Sequence, residues 1–83
     1  GKLRIGRAPA ERMDRRVASW LLKQAVVKNP VRVTHQEIAA ELGSSREVIS
    51  RILEDFSGEG SIERERGAIA VTDFESLETR STM

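Results

Sequence analysis

Between Thr34 and Phe56 the chain carries two helix-start signals, one on either side of Gly43, and few folds accommodate that arrangement. Thr34-His35-Gln36-Glu37 has the form of a capping box, in which the threonine hydroxyl accepts from the amide of Glu37 and the glutamate carboxylate accepts from the amide of Thr34. A helix therefore starts there. Gly43 ends it, since a chain leaving a helix commonly passes through a left-handed residue and glycine has no Cβ to clash. Ser44-Ser45-Arg46-Glu47 has the same box pattern, so a second helix is expected to begin one residue after the turn, with Ser44 as its cap and Glu47 as the returning acid. Two short helices about a glycine turn make a helix-turn-helix.

The apolar spacing agrees. At about 100° per residue, Ile49, Ile52, Leu53 and Phe56 share one side of the second helix, and Ile38 and Leu42 supply the matching side of the first. Ala39 stands where the two helices must approach closely. The opposite face of the second helix shows Arg46, Glu47, Ser50, Arg51 and Glu54. Its first two turns thus lead with long hydrogen-bonding side chains, the part that a helix entering a groove end-first presents.

The flanks complete the architecture. Gly1 to Pro9 has three basic residues, two glycines and a proline without apolar period, and reads as a linker or disordered arm over residues 1–9. The domain proper is expected over residues 10–80. From Ala10 to about Lys28, Met13, Val17, Trp20, Leu21 and Ala25 recur at helical spacing, with Trp20 as a core anchor, and Asn29-Pro30 stops the helix. Val31-Arg32-Val33 reads as a small edge strand. Ser57-Gly58-Glu59-Gly60 reads as a loop, followed by strands at 61–64 and 68–71 joined by the polar turn Glu65-Arg66-Gly67, a hairpin or wing. Thr72-Asp73-Phe74-Glu75 is a third capped start, for a short helix to Thr79 with Phe74 and Leu77 turned inward; Ser81 to Met83 should fray. The expected class is mainly α with a small β-hairpin, a winged helix-turn-helix.

Charge and residue inventory narrow the function. The 83 residues suit one small domain with a modest core, the net charge is +1, and there is no cysteine, so neither a disulfide framework nor a thiolate metal site is available. The absence of thiols suits a reducing cytoplasm, and no signal peptide or membrane-length apolar run is visible. Residues 1–51 hold 11 Lys or Arg against 5 Asp or Glu, whereas residues 52–83 hold 3 against 8. The exposed helix lies in the basic half, which suits a polyanionic partner. An enzyme reading fails for lack of parts: His35 is the only histidine and, as the second residue of a capping box, is expected to face solvent. Glu59, Glu63 and Glu65 read as solvated acids beside the wing. The rival reading is a winged helix serving as a protein-interaction module. Such a helix should display exposed apolar anchors, whereas this one displays Arg46, Glu47, Ser50 and Arg51.

The run THQEIAAELGSSREVISRILEDF, with RVASWLL upstream and AIAVTD closing the wing, resembles the C-terminal DNA-binding domain of the CRP/FNR family of bacterial transcription regulators, over roughly Ala10 to Leu77. The resemblance implies double-stranded DNA as partner, RNA polymerase as a candidate partner, no membrane, and a cytoplasmic protein that dimerises at full length, while this piece alone is monomeric. Family members carry an effector-sensing β-roll and a dimerisation helix upstream, and neither is in this chain. No cofactor is therefore expected in this piece, and the effector stays unknown. The start at Gly1, without methionine, reads the same way, as a fragment or a cleaved product. The resemblance puts Arg46, Glu47, Ser50 and Arg51 at base-reading positions and Thr34, Gln36 and Ser45 near phosphates; Arg66, on the wing, is a further expected phosphate contact. Val48 stands where the family often has threonine, and Glu54 where some members have lysine.

Overall fold

A computed structural model describes residues 8–82 of the chain, and the side chains of residues 13–82. The first element, α1 (Ala8–Val27), begins two residues earlier than its apolar period required. Pro9 is compatible with this start, because its missing N–H is one the first helical turn leaves unbonded. The end of the expected arm is thus helical, and its remainder, 1–7, lies outside the described residues. Val17, Ala18, Leu21 and Ala25 form the buried stripe of α1, and Met13, Trp20 and Leu22 pack against its edges, so Trp20 supports the core from a half-buried position.

The helix pair follows as α2 (His35–Leu42) and α3 (Arg46–Glu59). Both halves of the Thr34 box form: its hydroxyl accepts from the Glu37 amide at 3.1 Å, and the Glu37 carboxylate accepts from the Thr34 amide at 2.9 Å. Gly43 takes φ 71 in the left-handed region and its N–H donates to the Ala39 carbonyl. Ala39 is 1% exposed at the helix crossing, where any larger side chain would force the pair apart. The second box differs from expectation. Ser45 caps α3, its hydroxyl accepting from the Val48 amide at 3.2 Å, so the position of the returning acid falls on Val48 and Glu47 takes no part. Ser44 is engaged in the turn instead, its amide donating to the Ala39 carbonyl at 2.8 Å as α2 closes, and α3 starts at Arg46.

The expected loop at 57–60 is also helical for most of its length: α3 continues through Ser57, Gly58 and Glu59 and closes at Gly60, with φ 86 and its N–H bonded back to Phe56 and Ser57. The last turn is held from outside, because the Ser61 amide also donates to the Phe56 carbonyl at 3.0 Å. Glycine at 58 costs helix propensity, about 1 kcal/mol against alanine, and the packed Phe56 outweighs it.

The wing consists of β1 (Ile62–Glu65) and β2 (Ala68–Val71), antiparallel with Arg64 opposite Ile69, and turns through Arg66 and Gly67, the latter at φ 69. Val31-Arg32-Val33 does not form a strand. Only Val31 bridges Ile69, exchanging two 2.8 Å backbone bonds. Asn29 takes the next place with its side chain, accepting from the Val71 amide and donating to the Val71 carbonyl, each at 3.0 Å. The free side of β2 is thereby occupied.

The last element, α4 (Phe74–Thr82), lies mainly against α1. Asp73 caps it through the Ser76 amide at 3.1 Å. Leu77 is fully buried as expected, but Phe74, the first residue of the helix, is 42% exposed and not turned inward. The helix runs on through Ser81 and Thr82, where fraying was expected; Met83 lies outside the described residues. Arg80 explains the persistence. Its guanidinium pairs with Asp14 of α1 at 3.1 Å, pairs with Glu59 of α3, and lies 5.0 Å from the centre of the Phe56 ring. Glu59, expected to be a merely solvated acid, is therefore part of the joint between three helices. Ser61 completes that joint: fully buried, its hydroxyl lies 2.7 Å from that of Ser76, and its carbonyl accepts from the amides of Thr72 and Asp73.

Candidate nucleic-acid interface

The exposed side of α3 follows from the burial of its other side. With Ile49, Ile52, Leu53 and Phe56 in the core, the helical period leaves Arg46, Glu47 and Arg51 exposed and Ser50 half-buried. These four, with Glu54, surround one shallow concavity whose far wall is Arg64 of β1. Arg64 was not singled out from the sequence. The alternation of the wing strand puts it outward, but only the docking of the hairpin beside α3 brings it to this surface. Glu54 is a carboxylate among three guanidinium groups here, which moderates the positive field.

A second concavity adjoins the first, between the start of α2 and the wing. Thr34, His35 and Gln36 line it with Arg46, Glu65 and Gly67, so Arg46 belongs to both. Thr34 and Gln36 are exposed at its rim. The remaining two expected phosphate contacts stand elsewhere: Ser45 is exposed at the cap of α3, where its oxygen is used by the Val48 amide while its proton stays free to donate, and Arg66 is exposed at the tip of the wing. Neither lines the two concavities.

His35 departs from the solvent-facing role expected of it. It is half-buried, and its Nδ1 lies 2.8 Å from the Ser50 hydroxyl, joining the first residue of α2 to the second turn of α3. Its pKa is lowered from 6.5, first by burial and then by the neighbouring charges of Arg64 and Arg46. The ring is therefore neutral at pH 7, and can accept at one nitrogen and donate from the other.

Chemically, this surface combines planar guanidinium forks, a carboxylate and a hydroxyl on one projecting helix. A guanidinium matches the paired acceptors O6 and N7 of guanine, and a carboxylate accepts from the N4 amine of cytosine. The described residues hold no group of three or more His, Asp or Glu placed to bind a metal ion, and no helix long and apolar enough to cross a membrane.

A helix pair about a left-handed glycine, its second helix projecting beside a two-stranded wing, defines a winged helix-turn-helix domain. Residues 15–80 match the model of the Crp-like helix-turn-helix domain, and the chain belongs to that family. The transcriptional regulator SdrP of Thermus thermophilus is 30% identical, over 89% of this chain and 41% of that protein. The crystal structure of the Thermus thermophilus catabolite activator protein superposes with a TM-score of 0.81 at 30% identity, covering 96% of this chain and 38% of the other. A transcriptional regulator of the Crp/Fnr family from Eubacterium rectale superposes at 0.79 with 43% identity, over 84% and 33% respectively. The chain thus spans less than half the length of each. These relatives are bacterial proteins named as regulators of transcription, and membership supports a DNA-binding regulatory role.

Proposed function

We propose that this chain is the DNA-reading output domain of a longer bacterial transcription regulator, and that α3 enters the major groove of a palindromic operator. The observation that carries the reading is the convergence of Arg46, Glu47, Ser50 and Arg51 with Arg64 on one exposed concavity beside the wing. In this reading Arg46, Glu47, Ser50 and Arg51 contact base edges, while Thr34, Gln36, Ser45 and Arg66 contact phosphates. Two guanidinium forks with a carboxylate between them call for two nearby G·C pairs in each half-site, with a cytosine on the strand facing Glu47. The full-length protein binds as a two-fold dimer to half-sites about 34 Å apart. This piece by itself is monomeric. The whole protein is cytoplasmic, with RNA polymerase as a candidate second partner, and its effector is sensed outside this chain.

The test is a fluorescence anisotropy titration of a palindromic duplex with TGTGA-type half-sites, and of its scramble, at two salt concentrations. Affinity should fall with rising salt as phosphate counterions are released. Arg51→Ala should cost about 1–3 kcal/mol on the specific duplex and almost nothing on the scramble. A flat salt response, with Arg51→Ala without effect, would refute DNA reading and favour a protein partner.

A further inference from the structure

The bond between His35 and Ser50 crosses the helix pair and ends on the face proposed to read bases, Nδ1 to Oγ at 2.8 Å. A free serine hydroxyl rotates, offering either its proton or a lone pair, so it matches donor and acceptor base edges alike and specifies little. A bond to imidazole removes that ambiguity. Where Nδ1 carries no proton the hydroxyl must donate to it, and the groove then meets only the oxygen lone pairs. Where Nδ1 carries a proton, the oxygen accepts and the hydroxyl proton is left for the base.

We propose that His35 is a positioning residue for Ser50: with its proton on Nε2, it accepts a hydrogen bond from the Ser50 hydroxyl at Nδ1 and makes Ser50 a pure acceptor toward the major groove, selecting a base that offers an amine there, cytosine through N4 or adenine through N6. The inference rests on α3 being the base-reading helix. The groups around the ring keep it in the required state. Burial first, then Arg64 of β1 and Arg46 of α3, disfavour a cationic imidazole, the side chains of the Thr34 cap and of Gln36 on α2 are uncharged, and Glu65 of β1 is the one acid lining the same concavity. A neutral imidazole with its proton on Nε2 is also the tautomer that the free ring prefers. Ser50 is half-buried and still lines the concavity on the exposed face of α3. A direct phosphate contact by His35 would act differently, strengthening binding to every sequence without changing which base is preferred.

Two measurements on this chain test the proposal. In the free, ¹⁵N-labelled protein near neutral pH, the imidazole nitrogens should show Nδ1 unprotonated and hydrogen-bonded, and Ser50→Ala should move the Nδ1 signal toward that of a free acceptor. In selection from a randomised duplex pool, the wild type should enrich C or A over G and T at one position by roughly fivefold, the worth of one hydrogen bond. Ser50→Ala and His35→Ala should each abolish that preference at the same position, the double variant should lose no more than either, and His35→Asn, whose amide oxygen can stand where Nδ1 stood, should restore it. Circular dichroism melts confirm that each variant is folded. A protonated Nδ1, or a His35→Ala variant that keeps the preference while losing affinity evenly on all sequences, overturns the proposal. A wild type that enriches no sequence at all overturns the DNA-reading assignment itself, and this inference with it.

Discussion

Replacing Arg80 with alanine should cost more stability than any other surface-charge substitution in α4, by about 2 kcal/mol, and the contributions can be worked from its three contacts. The Asp14 pair, at 3.1 Å between side chains 19% and 31% exposed, stands toward the upper end of the roughly 0.2–1 kcal/mol measured for solvent-accessible pairs. The Glu59 carboxylate is 38% exposed and better screened by water, so it adds only about 0.3 kcal/mol. The guanidinium over Phe56, at 5.0 Å from the ring centre, adds about 0.5–1 kcal/mol. Loss of the methylene stem of a side chain only 19% exposed brings the total to about 2 kcal/mol. For a domain of this size that corresponds to a fall in melting temperature of roughly 8–16 °C. Arg80→Lys should fall between, because one ammonium cannot serve two carboxylates in fork geometry and interacts less well with the ring. The assay is thermal and urea unfolding at low salt and at about 1 M, where screening over roughly 3 Å should shrink the ionic part of the loss. An alanine variant within about 0.3 kcal/mol of wild type, no more than a weak exposed pair contributes, would refute the view that this residue joins α1, α3 and α4.

Thr34→Ala removes the hydroxyl half of the capping box and should lower stability by about 1–2 kcal/mol in denaturant unfolding; a loss no greater than that of a typical surface substitution would contradict the box. Glu47→Ala removes no cap, because Ser45 and Val48 make that bond, so stability should fall by no more than the roughly 0.3–1 kcal/mol of a first-turn acid. On the four duplexes that vary the pair facing Glu47 its discrimination should relax; equal loss on all four would refute a base-reading role. The lowered pKa of His35 predicts that stability is flat above pH 6.5 and falls as the pH drops below it toward the folded-state pKa, because the unfolded chain takes up the proton first. His35→Gln should remove that component, and a variant that loses stability in parallel with wild type over pH 5–6.5 would place its cause elsewhere.

What could be read along the chain was what short-range physics decides. The Thr34 box, the left-handed Gly43 and the apolar period that buries Ile38, Ile49, Ile52 and Phe56 rest on residues a few positions apart and form as expected, and the hairpin forms with its first strand one residue later than read, at 62–65 instead of 61–64. Choices between near-equal local options needed the packed structure. Ser44 and Ser45 are equally good caps by residue type, and the turn settled on Ser45, because the Ser44 amide is used to close α2 on the Ala39 carbonyl. Gly58 reads as a helix breaker in isolation, yet α3 passes through it because Phe56 and the Ser61 amide hold the last turn.

The candidate surface divides along the same line. Exposure of Arg46, Glu47 and Arg51 follows from the helical period alone, so these were legible from the sequence. The partner that gives the surface its character was not: Ser50 meets His35 from 15 positions away, just as elsewhere in the fold Asn29 takes the backbone of Val71 from 42 away and Arg80 reaches Asp14 across 66. Side chains so separated carry no shared periodicity, and any of several charged neighbours would have served each of them equally in an unfolded chain. Sequence by itself determined the helix pair, its turn and which face of α3 points outward, because caps and hydrophobic period act within one or two turns. Tertiary structure decided the cap register, the three-helix joint at Arg80, and the placing of His35 and Arg64 beside the exposed helix, because those depend on how the wing and α4 dock, and docking is settled only when the whole core closes.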